Sequence, residues 1–279
     1  MKRLKRDDLL ISLFEEHDRR SVVDIWSQAF SDTEEFINKF LDFSGAKMYV
    51  YRENGAVLGM FSVFDVEAHG KKGAYIYALA VEEKHRRKSI ASKMLEFADE
   101  IFSSKGYAFS IVVPEPYTCL EAFYKKRGYE TEIELSVEEI DGKGLQGTFK
   151  IQVADASEYF SARNMSINVL KYDERFFKFL YDDMKNDGAE VLKINFDKQC
   201  AFCVCYCREG YVIIKEAFGT VDISLLAQII AAKYSVEKII CVSHNGAQRY
   251  PYALLKKYDL GFDCNIYANL LLDSFELRF

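Results

Sequence analysis

The chain has no long apolar run. Its uninterrupted apolar stretches are short, residues 74–81 being typical, and none approaches the roughly 20 residues that a membrane-spanning helix needs. The start, Met1-Lys2-Arg3-Leu4-Lys5-Arg6, lacks the apolar core and small-residue cleavage site of a secretory leader. A cytoplasmic location is therefore expected. Nor is there a basic half. Lys and Arg number 22 against 26 Asp and Glu in residues 1–150, and 15 against 17 in residues 151–279. That balance argues against nucleic-acid binding, including through the local basic run 84–88; it is compatible with an amine substrate. The four histidines, His17, His69, His85 and His244, form no cluster and no triad spacing. Cysteine shows the same lack of pattern. Seven is an odd count, and Cys200, Cys203, Cys205 and Cys207 crowd together without the paired C-x-x-C spacing of a zinc site. On a strand, Cys203, Cys205 and Cys207 point one way at about 7 Å intervals, too spread for one tetrahedral ion. They read as small buried hydrophobes and free thiols of a reducing compartment, with no metal.

What is present is enough for two domains: 279 residues, 49% of them hydrophobic. Periodicity predicts a strand over 9–14, helices over 21–30 and 34–43, and strands over 48–52 and 56–66. The last two flank Asn54-Gly55, a strong hairpin signal. A strand over 74–81 follows, then a helix from Ser89 with Ile90, Met94, Leu95, Ala98, Ile101 and Phe102 on one face. A strand over 107–113, a short helix over 118–127 ending at Gly128, and a strand over 129–136 complete the first half. Residues 137–149 combine carboxylates with Gly142, Gly144 and Gly147 and mark a domain boundary. Beyond it, a helix is expected over 176–184, strands over 191–196, 201–206 and 211–218, a helix over 223–234 and a strand over 238–242. A helix over 253–258 and a strand over 265–272 close the chain. Three strands, a helix and a strand repeat the order of residues 46–113.

The most informative segment runs from the apolar Tyr75-Ile76-Tyr77-Ala78-Leu79-Ala80-Val81 into Arg86-Arg87-Lys88-Ser89-Ile90-Ala91. A strand, a basic loop and a helix start in that order aim backbone N–H groups and a positive dipole end at a phosphate group. The bland alternative is a solvated basic turn. The loop resembles the acyl-CoA loop of the GNAT N-acetyltransferases, Arg/Gln-x-x-Gly-x-Gly/Ala, with Ser89 where that family usually has glycine. If the loop needs φ > 0 there, serine carries a penalty of about 1 kcal/mol. A second piece matches too: Phe123-Tyr124-Lys125-Lys126-Arg127-Gly128-Tyr129 resembles the signature that closes many GNAT domains. The family commonly has Asn near the start of that helix, and Tyr117 stands about there.

The resemblance implies a mixed-sheet α/β fold, with a GNAT acetyl-CoA domain over 1–137 and a degenerate GNAT-like half over 150–279 that caps the acceptor cleft. It implies acetyl-CoA as cosubstrate, held by Leu79, Ala80, Val81, Arg86, Arg87, Lys88, Ser89, Ile90 and Ala91. The N–H groups of Leu79 and Val81 would polarise the thioester carbonyl. Tyr124 would be the general acid that protonates the departing thiolate. The acceptor would be a primary amine on a small molecule or a peptide. The base stays open among Asp65, Glu67, Glu115, a water chain and the carboxylate of Phe279; the last follows a further likeness to the Eis-type acetyltransferases. The second half has no basic loop where Gly219 to Ile223 stand, so CoA is assigned to the first half alone. The rival reading is a GNAT-fold module that binds CoA or a partner without turnover.

Overall fold

A computed structural model describes residues 10–115, 118–142, 149–166, 168–243 and 248–267, and the backbone only at 131–132. By packing, the chain forms two compact units, one of Met1–Val112 with Leu255–Phe262, the other of Val113–Leu254 with Asp263–Phe279.

The first unit contains β1 (Ile11–Leu13), α1 (Arg19–Phe30), α2 (Glu34–Phe43), β2 (Lys47–Glu53), β3 (Ala56–Ala68), β4 (Lys71–Val81), α3 (Ile90–Ser104) and β5 (Phe109–Val112). Its strands lie in the order β1-β2-β3-β4-β5, antiparallel except for the β4–β5 pair. The β2–β3 hairpin turns at Asn54 (φ 52°) and Gly55 (φ 79°), both left-handed as a tight two-residue turn requires. Helix α1 buries Val22, Val23, Ile25 and Trp26. The Trp26 ring meets Phe40 of α2 edge-on at 4.8 Å and Tyr77 of β4 at 5.8 Å. Helix α3 buries Ile90, Met94, Leu95, Ala98 and Phe102, five of the six residues on its expected face, while Ile101 is half-buried.

The unit is completed by Leu255–Phe262. Tyr258 and Asp259 both donate backbone N–H to the Ala108 carbonyl, and Phe262 stacks on Phe109 at 4.3 Å. The Tyr258 hydroxyl and the Lys256 ammonium both bind the Asp99 carboxylate of α3. The sequence predicts a helix over 253–258, but the chain there is strand. Tyr252, Ala253, Leu254 and Leu255 are all buried, so the segment shows a continuous apolar run without the alternation that announces a strand.

The second unit contains α4 (Leu120–Lys125), β6 (Thr131–Asp141), β7 (Phe149–Val153), α5 (Ala156–Met165), β8 (Lys171–Tyr172), α6 (Glu174–Asn186), β9 (Ala189–Phe196), β10 (Gln199–Arg208), β11 (Tyr211–Gly219), α7 (Ile223–Tyr234), β12 (Lys238–Ser243) and most of β13 (Arg249–Lys257). The strand order is β13-β6-β12-β11-β10-β9-β7. The pair β11–β12 is parallel with α7 between its strands in sequence, as β4–β5 is with α3. The expected repeat of three strands, a helix and a strand is thus present. Strand β7 and helix α5 were not expected. Residues 265–267 form no strand, only a single bridge from Tyr267 to Val169, and 268–272 lie outside the described residues.

Cys203, Cys205 and Cys241 sit in the apolar core beneath α7, while Cys207 is exposed. The hydrogen bond with Cys203 and then burial raise the Cys205 thiol well above its usual range, and burial pushes Cys241 up to about 12. Cys205 and Cys241 are thus protonated packing groups.

Candidate functional site

Strand β4 changes course at Ala78. Its antiparallel register with β3 shifts there: Ser62 lies opposite Tyr77, but Met60 lies opposite Ala80 and Gly59 opposite Val81. An extra residue is therefore accommodated on β4, a β-bulge. Ala78 takes the left-handed conformation at φ 53° although it carries a Cβ. The bulge is held by Ser62, a buried serine whose hydroxyl donates to the Tyr77 carbonyl at 2.8 Å. On its other side β4 pairs with β5 from Gly73 opposite Phe109 to Ile76 opposite Val112, and the register stops there while β4 continues to Val81. Leu79, Ala80 and Val81 thus lie beyond the β5 ladder.

The loop that follows is compact. Glu82 donates its N–H to the Leu58 carbonyl, and its carboxylate binds the His85 ring at 2.7 Å. Arg86 turns its Nε–H back onto the Val81 carbonyl at 3.2 Å. Arg86, Arg87, Lys88 and Ser89 are exposed, and Arg87 and Ser89 both have φ 62°. Ser89 is the N-cap of α3: its carbonyl accepts from Lys93 N–H, but its side chain makes no capping bond. The leading N–H groups of an α-helix have no partner within it. At α3 the Ser89 side chain supplies no capping oxygen, and Arg86, Arg87 and Lys88 immediately precede it, an arrangement suited to a phosphate. Ser89 thus holds a left-handed backbone that glycine would adopt without penalty.

Gly59 supports this corner and escaped the sequence reading. A Cβ on it would lie 3.0 Å from Met94 Cε, 3.1 Å from the Ala80 carbonyl oxygen and 3.3 Å from Ile90 Cγ2. The lack of a side chain lets the start of α3 pack closely on β3 beside the end of β4. An isolated glycine inside an apolar strand is the available signal. Ser62 gives a weaker one, a lone hydroxyl in the run 56–66.

Tyr124 belongs to the second unit, in the single-turn helix α4, and its ring is buried. It packs edge-on against Phe123 at 5.2 Å and Tyr129 at 5.7 Å, and its carbonyl accepts from Arg127 and Tyr129. Burial raises its hydroxyl well above the usual value near ten, with Arg127 acting in the opposite direction. It is protonated at physiological pH. Tyr117 and Phe279 lie outside the described residues.

Of the open base candidates, Asp65 and Glu67 lie toward the β3–β4 turn, opposite Ala74 and Lys72. Asp65 is six residues along β3 from Gly59, about 20 Å of strand. It is engaged with the Lys47 ammonium at 2.8 Å, the Tyr107 hydroxyl at 2.5 Å and Lys72 at 3.3 Å. Partial burial would raise its carboxyl, but the bonds from Lys47 and Tyr107 outweigh that and hold it below the usual range. Glu115 is exposed and belongs to the second unit.

The second unit repeats the geometry with other chemistry. The β10–β11 register shifts between Val204 and Cys205, leaving Lys215 as the extra residue of β11. Pairing of β11 with β12 ends at Ile214 opposite Cys241, while β11 runs on to Gly219. Where the first unit leaves the start of α3 uncapped, Asp222 caps α7: its carboxylate accepts from Ser224 N–H at 2.9 Å and Leu225 N–H at 3.3 Å. That helix start already holds an anion. Next to the bulge, the fully buried Glu216 pairs with the fully buried Arg163 of α5 at 3.1 Å and accepts from the Tyr159 hydroxyl.

Among the described residues no helix is long and apolar enough to cross a membrane, and no group of three or more His, Cys, Asp or Glu is placed to hold a metal ion.

Residues 11–131 match the family model described as an acetyltransferase (GNAT) domain. No curated protein sequence matches the chain. Among solved structures, a conserved Enterococcus faecalis protein described as a probable N-acyltransferase is similar, with TM-score 0.72 and 16% identity over 90% of this chain and 73% of its own. Eis1 from Mycobacterium abscessus is similar with TM-score 0.68 and 8% identity, over 90% of this chain and 74% of its own. A tandem GNAT protein from the clavulanic acid biosynthesis pathway gives TM-score 0.54 and 10% identity, covering 88% of this chain and 98% of its own. At these identities the likeness is one of fold.

Proposed function

We propose that the chain is an N-acetyltransferase acting from acetyl-CoA on a primary amine, a reading supported by the match of residues 11–131 to the GNAT acetyltransferase domain model. Residues 1–137 form the catalytic part in this reading, and 150–279 a second GNAT-like half without that chemistry. The observation that carries the reading is Ser89: left-handed, exposed, without a side-chain cap, at the start of α3 and directly after Arg86, Arg87 and Lys88.

Acetyl-CoA, when bound, supplies the acyl thioester. The N–H groups at the start of α3, those of Ile90 and Ala91 among them, donate to phosphate oxygens, and the loop cations add charge. Beyond the β5 ladder, Leu79, Ala80 and Val81 offer backbone groups to the pantetheine arm, and the N–H groups of Leu79 and Val81 polarise the acyl carbonyl. Attack by a neutral amine is direct. Tyr124 donates its proton to the leaving sulfur, a role favoured by its protonated state and by its place in the Phe-Tyr-x-x-x-Gly-Tyr signature. All seven cysteines carry free thiols, which suits a reducing compartment such as the cytoplasm.

Thioester cleavage with a panel of small and peptide amines tests this, alongside calorimetry of CoA binding. Tyr124→Phe should keep CoA affinity and lower kcat about 100-fold. Binding without turnover on any amine would favour a non-catalytic CoA module. Failure to bind CoA would defeat both readings.

A further inference from the structure

Within the second unit, a cleft of about 510 Å³ opens where β11 and β12 part, a volume in the range of small-molecule sites. Ala217 to Gly219 and Val242 with Ser243 bring the carboxyl ends of two parallel strands to it. That is the place where open α/β sheets generally hold ligands. Asn168, Ser243 and Tyr267 supply polar groups, and Val221, Ile223 and Leu226 an apolar wall.

Its charge differs from that of the corresponding corner of the first unit. No lysine or arginine is among the described residues lining it, and Glu138 is the one carboxylate. Asp222, between the lining residues Val221 and Ile223, adds a second negative charge and blocks the start of α7. The nearby Arg163 cannot offset them, because it is fully buried against Glu216 and the Leu170 carbonyl. In the first unit the same strand–helix junction carries Arg86, Arg87 and Lys88. The repeat has kept the splayed strands and reversed the sign. A phosphorylated ligand is disfavoured in this cleft. A cation with an apolar body fits both the wall and the carboxylate.

We propose that this cleft is a second ligand site, independent of the CoA site, that binds a small organic ammonium compound with its cationic group at Glu138 and its apolar part against Ile223 and Leu226. Calorimetric titration of the full chain with hexylamine, cyclohexylmethylamine and tyramine tests it, with hexanol, cyclohexylmethanol and tyrosol as neutral counterparts. At least one amine should bind at millimolar concentration or below while its alcohol does not. Glu138→Gln should weaken that binding about tenfold, and Ser243→Leu, which places a larger side chain in the cleft, should abolish it. CoA affinity should be unchanged in both variants. Absence of binding by all three amines would overturn the proposal, as would binding insensitive to both substitutions, which would locate the amine elsewhere. Should Ser243→Leu not fold, Glu138→Gln alone decides. None of these outcomes depends on thioester cleavage, so the acetyltransferase reading stands or falls separately.

Discussion

The Ser62 hydroxyl binds the Tyr77 carbonyl at 2.8 Å, and the next residue, Ala78, is left-handed. The bond and the strained residue are two halves of one device: the hydroxyl captures the carbonyl displaced by the bulge. Ser62→Ala removes that part-buried hydrogen bond, at a cost of about 0.5–1.5 kcal/mol. Urea unfolding followed by the fluorescence of Trp26, the sole tryptophan, which packs on Tyr77, should report the loss. CoA affinity should fall in the same variant, since Leu79 to Val81 take their course from the bulge.

Ser89 pays a backbone penalty that glycine would not. At φ 62° an L side chain costs about 1 kcal/mol. Ser89→Gly should therefore stabilise the fold by up to about 1 kcal/mol, read as a raised urea midpoint, because the strained backbone belongs to the folded chain itself. Weaker CoA binding by calorimetry in that variant would show that the serine side chain itself contributes to the site.

Arg163→Met should destabilise the chain by about 3–5 kcal/mol, because it strands the Glu216 carboxylate in the interior. Arg163→Met with Glu216→Leu should regain most of the loss, since a well-packed apolar pair replaces a desolvated ionic one. Denaturant midpoints of the two variants against wild type give the comparison.

Asp65 sets a pH dependence. Its carboxyl is held below its ordinary value in the folded chain, so its ionised form stabilises the fold above that ordinary value. The contribution is lost as pH falls through the lower, folded value. Asp65→Asn should therefore be less stable than wild type at pH 7, and the gap should close below about pH 4. A gap that widens in acid would contradict the ion-pair account.

Much of the fold was legible because its elements carry local signals. Asn54-Gly55 dictates its own turn, Thr33 caps α2 by accepting from Phe36 N–H, and α7 spans the residues its pattern predicted. Helix α5 has a cap, Asp155 accepting from Glu158 N–H, but its apolar period is broken: its buried face includes Tyr159 and Arg163, made tolerable by Glu216 and the Leu170 carbonyl. Strand β13 misled for the opposite reason, its leucines reading as helix until tertiary pairing fixed them. The candidate site divides in the same way. Its exposed cations and Tyr124 follow a motif, whereas Gly59 and Ser62 act through contacts made across strands, which one-dimensional spacing does not encode.

The return of Leu255–Phe262 to the first unit bears on how the protein is made. A ribosome delivers residues 1–112 long before the segment that stacks on Phe109 and anchors to Asp99. Until then the edge of β5 at Ala108 waits without the partner it has in the finished fold. Synthesis from the N-terminus thus cannot complete the first unit in isolation. The nascent chain must hold an open sheet edge through most of translation, a period in which aggregation and chaperone capture compete with folding.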